Sequence, residues 1–86
     1  MKNKANKIGY CFEIVGKNIS YYRKKKNITL EELGFGIGLD KSAIFHIEKG
    51  KPITLRTLFK IAAYLETPIS DLLINLPNLS KNDLDF

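Results

Sequence analysis

Lys41, Ser42, Phe45 and His46 stand at i, i+1, i+4 and i+5, a spacing that places all four on one face of an α-helix. Together they offer an ammonium, a hydroxyl, an imidazole and an apolar ring, which means hydrogen-bond donors set around a hydrophobic surface. That is chemistry for recognition rather than for catalysis. His46 is the single His and Cys11 the single Cys, so a metal site built from His and Cys is out of reach. There is no Cys–His or Ser–His–Asp constellation, no phosphate-cradling Gly loop and no site-like cluster of carboxylates. The expectation is a chain that is not an enzyme, with no metal, no cofactor and no evident small-molecule ligand.

Such a face needs a scaffold, and 86 residues at 44% hydrophobic allow one small domain. A lone Cys excludes an intramolecular disulfide and suits a reducing, cytoplasmic compartment. No apolar run reaches the roughly 20 residues of a membrane span, and no signal-peptide pattern opens the chain. The net charge of +5 is unevenly placed. Residues 1–26 carry Lys2, Lys4, Lys7, Lys17, Arg23, Lys24, Lys25 and Lys26 against Glu13 alone, giving +7, and the remainder carries −2. This favours an anionic partner. Lys24–Lys26 also suit the C-terminal end of a helix, where cations oppose the macrodipole. The polar opening MKNKANKIG has no hydrophobic period, so residues 1–11 read as a flexible basic arm able to touch a phosphate or enter a minor groove.

Apolar residues recur at helical spacing almost throughout, which predicts an all-α domain of five helices over residues 12–76 and an aperiodic tail over 77–86. Phe12, Val15, Ile19 and Tyr22 stripe a first helix from about Phe12 to Lys26, ended by Asn27. Thr29 and Glu32 make a capping box for the second, with Ile28 and Leu33 as its hydrophobic staple. Gly36 and Gly38 end that helix. Asp40 caps a third, Lys41 to about Lys49, with Leu39 and Ile44 as staple and Gly50 as its stop. Thr54 caps a fourth, stapled by Ile53 and Leu58, whose buried face is predicted as Leu55, Leu58, Phe59, Ala62 and Leu65. Thr67–Pro68 opens the fifth, docked by Leu72, Leu73 and Leu76.

The second and third helices, each under three turns and joined through Ile37–Gly38–Leu39–Asp40, have the spacing of a helix-turn-helix. The second helix of such a unit can lie along a major groove and read bases from its outward face. The ordered set Arg23–Lys24–Lys25–Lys26, Ile28–Thr29–Leu30–Glu31–Glu32–Leu33, Gly38 to Ile44, Ile47–Glu48–Lys49–Gly50–Lys51, Thr57 to Leu65 and Ile69 to Leu73 resembles the phage repressor/Cro-type (XRE-type) family. The match runs from Val15 to Leu73 without insertion. It implies a five-helix repressor-like fold and sequence-specific binding of double-stranded DNA, commonly as a dimer on a two-fold symmetric operator. Three positions depart from the pattern. Leu30 stands where many members carry a phosphate-holding Gln, leaving only backbone N–H groups for that contact. Gly34 replaces an Ala where the two helices cross, still permitting close packing at about 1 kcal/mol of helix propensity. Glu66 replaces the Gly that often ends the fourth helix.

Matched to the family's reading positions, Lys41, Ser42 and His46 are candidates for base-edge contact. Lys41 would donate to guanine O6 or N7 and His46 to a purine acceptor. Ser42 is equally suited to a phosphate, and His46 to plain solvation. Phe45 has three options: a thymine methyl, a fold-back over Leu39 as extra core, or another protein. Lys49, Lys51 and the Thr54 helix start suit phosphates, or for the lysines ordinary surface charge. Arg23 and Glu48 look like the family's structural ion pair. Leu72, Leu76 and Leu79, with Leu84 and Phe86, put more apolar surface at the C-terminus than one helix needs, and are read as a dimer contact. An alternative function is a protein-interaction module, such as an antitoxin whose main role is to hold a partner toxin.

Overall fold

The computed structural model describes residues 6–84. Five α-helices follow in order: α1 (Lys7–Lys25), α2 (Leu30–Ile37), α3 (Lys41–Glu48), α4 (Leu55–Leu65) and α5 (Ile69–Leu72). A single 3-10 turn, Lys81–Leu84, occupies the stretch expected to be aperiodic, closed by the Ser80 N–H donating to Asp83 Oδ2 at 2.8 Å. Among the described residues there is no strand.

The caps form as the side-chain spacing demands. Thr29 Oγ1 accepts from the Glu32 N–H at 3.0 Å while Glu32 Oε1 accepts from the Thr29 N–H at 2.8 Å. Asp40 accepts from the Ala43 N–H at 2.8 Å and Thr54 from the Thr57 N–H at 3.1 Å. The staple partners Leu33, Ile44 and Leu58 lie in the core, with Ile28, Leu39 and Ile53 packed against it. Asn27 takes the left-handed conformation (φ 57°) that ends the first helix.

Three expectations need correction. The first helix begins at Lys7, five residues before Phe12, because Asn6 accepts from the Gly9 N–H at 3.0 Å and Ile8 extends the apolar stripe by a turn. Residues 7–11 are therefore helix rather than arm, and residues 1–5 of that expected arm lie outside the described residues. On α4 the buried face is Leu58, Ile61, Ala62 and Leu65, whereas Leu55 and Phe59 are exposed. Leu58, Ala62 and Leu65 belong to the predicted face as well, but the buried stripe is turned towards Ile61, which leaves Leu55 and Phe59 at its solvent edge. Finally, α5 is one turn long and Leu76 does not dock. Asn18 of α1 accounts for where α5 stops, since its Nδ2 donates to the carbonyls of Leu72 and Ile74, each at 2.9 Å.

The turn between α2 and α3 depends on two glycines. Gly38 has φ +82°, a conformation that L side chains rarely adopt. Gly34 lies against the Leu39 carbonyl, and a Cβ added there would stand 2.5 Å from that oxygen. The helices thus approach more closely than the family's usual Ala would allow. Its opposite is Glu66, which ends α4 at φ 51° although it is not glycine, a conformation costing about 1–2 kcal/mol. Gly34→Ala is expected to lower stability by about 1–3 kcal/mol in spite of alanine's better helix propensity. An unchanged or raised urea midpoint would show that the crossing has slack.

Candidate nucleic-acid interface

Helix α3 turns Ile44 and Ile47 into the core and leaves Lys41, Ser42, Phe45 and His46 exposed on one side. The structure therefore brings together the four candidate reading residues. The Phe45 ring is 44% exposed and is not among the side chains packed on the core, which removes the fold-back option. It meets the His46 ring edge-on, centroids 5.4 Å apart, and Lys49 Nζ lies 5.4 Å from its centre, within reach of a cation–π contact.

Open clefts flank this helix. Towards α1 the lining includes Lys17, Tyr21, Lys24 and Lys49, with Glu13 opposed. Towards α2 it is apolar, with Leu30, Phe35, Leu39 and Phe45 beside Lys41 and Ser42. Towards α4 it includes Lys51 and Thr54. Lys49 and Lys51 thus lie on opposite flanks of α3. Leu30 borders both of the first two clefts, and as the first residue of α2 it presents an N–H with no intrahelical acceptor. The Thr54 hydroxyl already accepts from the Thr57 N–H and donates to Thr57 Oγ1 at 3.1 Å. What the Thr54 helix start offers an anion is backbone N–H rather than its own side chain, with the Lys51 ammonium beside it.

Arg23 and Glu48 form the expected pair. Nε donates to Oε2 at 2.7 Å and Nη2 to Oε1 at 3.0 Å, both side chains more than nine-tenths buried. Nη1 donates in addition to the Ile28 carbonyl at 2.8 Å. The guanidinium therefore holds the end of α3 to α1 and to the segment leading into α2.

The C-terminal leucines divide. Leu72 is completely buried in the core, so its place as a surface contact is corrected: it docks α5 on α1 and α4. Leu76 and Leu79 are exposed, as is Leu84, while Phe86 lies outside the described residues. Sequence reasoning missed Phe35, Lys17 and Lys24. Phe35 lies between Leu33 and Ile37, off the buried face of α2, and its period could have found it. Lys17, Tyr21 and Lys24, at i, i+4 and i+7, run opposite the Val15–Ile19–Tyr22 stripe and were legible the same way.

Among the described residues no group of three His, Cys, Asp or Glu side chains could hold a metal ion, and no helix is long and apolar enough to cross a membrane.

A helix-turn-helix family model matches residues 19–72. The chain is 39% identical over 57 residues to an uncharacterized HTH-type transcriptional regulator of Methanocaldococcus jannaschii, covering 65% of this chain and 86% of that protein. It is 32% identical over 62 residues to a protein of Methanocella arvoryzae named as an HTH-type transcriptional regulatory protein, covering 72% of this chain but only 19% of that longer one. Among solved structures it is similar to the restriction-modification controller protein C.AhdI of Aeromonas hydrophila. That match has a TM-score of 0.65 at 29% identity and covers 67% of this chain and 86% of that one.

Removing one partner of a buried pair strands the other charge, at a cost of about 3–5 kcal/mol. Arg23→Ala is thus expected to lower the melting temperature sharply while leaving any sequence preference intact at temperatures where the variant is folded. A melting temperature equal to that of the unsubstituted chain would show that the pair does not hold α3.

Proposed function

This chain belongs to the helix-turn-helix family of DNA-binding transcriptional regulators, and we propose that it works as a dimeric repressor or controller protein on a palindromic operator. In this reading α3 lies in the major groove. Lys41, Ser42 and His46 donate to base edges and Phe45 packs on a thymine methyl. Lys49 on one flank, Lys51 and the first turn of α4 after Thr54 on the other, and the backbone N–H of Leu30 take phosphates. The N-terminal basic segment adds attraction to the duplex. The exposed Leu76 and Leu79 supply the contact between copies, setting two reading helices about 34 Å apart. The protein acts in the cytoplasm, with its concentration, through dimerisation, as the regulating variable.

The observation that carries this reading is a donor-bearing face on a helix of eight residues, exposed between a flank with Lys17, Lys24 and Lys49 and one with Lys51, and anchored by a buried ion pair. A second reading, a module whose main task is holding a protein such as a toxin, draws on the exposed Phe35, Phe45 and Leu79.

Selection from random DNA separates the two, and is expected to enrich a two-fold symmetric site. Affinity for that site should fall steeply with salt, and Lys49→Ala should weaken all sequences alike and lower the slope by about one unit. No enriched site would favour the interaction module, and loss confined to particular bases would contradict the phosphate role of Lys49. Sedimentation is expected to show dimers at micromolar concentration; a monomer there would remove the two-headed mechanism.

A further inference from the structure

We propose that Phe35, which lies on α2 and not on the reading helix, is a specificity determinant that acts with Phe45 to select thymine. This rests on the assignment of α3 as the groove-reading helix. Phe35 is 89% exposed, so the core gains almost nothing from it. It lines an open cleft of about 660 Å³ between α2 and α3 that Phe45 lines as well, with Leu30 and Leu39 adding to the apolar lining. The cleft is continuous with the reading face, because Lys41, Ser42 and Phe45 belong to both.

The charges around the cleft decide what class of group enters it. Glu31 and Asp40 belong to its lining, and Oδ1 of Asp40 accepts from the Ala43 N–H. Lys41 is the one cation among the described residues that line it. A phosphate is disfavoured there, and the cations that suit phosphates, Lys17, Lys24 and Lys49, lie on the far side of Phe45. The cleft instead fits an uncharged group that is apolar on one side and accepts hydrogen bonds on the other. In the major groove guanine shows two acceptors, cytosine a donor, and adenine an acceptor beside a donor. Thymine alone shows an acceptor, O4, beside a methyl group. Lys41 and Ser42 can donate to O4 while the two phenyl rings close on the methyl.

The test replaces thymidine with deoxyuridine, position by position, in the operator recovered by selection. This removes the methyl and keeps every base hydrogen-bonding group. At one or more thymines in each half-site, uridine is expected to weaken the full-length chain about fourfold per methyl group. Phe35→Ala is expected to bind the thymine operator more weakly by a similar factor and to lose part of the discrimination against uridine. Because Phe35 is exposed, this variant should keep the parent melting temperature, so weaker binding will not reflect unfolding. Equal binding of thymine and uridine operators by the parent chain would overturn the proposal. So would a Phe35→Ala variant with parental affinity and discrimination, an outcome that would assign the patch to a protein partner. If selection yields no operator, both this proposal and the assignment of α3 fall, before any uridine is introduced.

Discussion

Three stretches of chain meet at the guanidinium of Arg23, and the orientation of α3 depends on that meeting. An eight-residue helix is about 12 Å long and has almost no stability of its own. Ile44 and Ile47 seat it on the core and its last carbonyls lie close against Gly16 of α1, contacts that carry no directional bond. The fork of hydrogen bonds from Arg23 to Glu48, with a third to the Ile28 carbonyl, supplies the missing restraint at one end. Lysine could not replace it, since a single ammonium has no planar fork to match a carboxylate. At the other end, Gly34 lets α2 cross closely enough to keep the start of α3 in place. The reading face is thus held at both ends by contacts it does not itself supply.

The electrostatics follow from the same arrangement. The cations of α1 do not form one patch, because a helix of 19 residues spreads them around its circumference. Lys17 and Lys24 border the cleft beside α3. Lys25 lies instead 5.7 Å and 5.9 Å from the ring centres of Tyr21 and Tyr22, and with Lys26 it borders a different cleft that includes Glu66 and Asp71. All contribute to attraction at a distance, within a Debye length of about 10 Å at 0.1 M salt. In the proposed function, those beside α3 are the ones that would touch a phosphate there.

The elements legible in the sequence were those written in short-range chemistry. Thr29, Asp40 and Thr54 announce helix starts because each bonds an N–H three residues away, and the staples need only a fixed spacing. The outward face of α3 followed from period alone. What stayed hidden depends on partners distant in sequence. Whether Leu55 or Ile61 points inward is decided by where α2 and α5 lie, and α4 has apolar residues on both sides. Leu72 reads both as a docking residue and as surplus surface, and only the closed core decides for docking. Asn6 could have been recognised as a cap, but a segment rich in Lys and Asn concealed the single Ile8 that extends the stripe.

Asn18 links two parts of the molecule that otherwise have separate tasks. Its amide holds the carbonyls of Leu72 and Ile74, 54 and 56 residues away, and so sets the direction in which the chain leaves α5 towards Leu76 and Leu79. Five residues further along the same helix, Arg23 grips the end of α3. The C-terminal segment is therefore anchored on α1, the helix to which Arg23 ties the end of α3. The segment bearing the exposed leucines and Glu48 at the end of α3 are thereby tied to one and the same helix, α1.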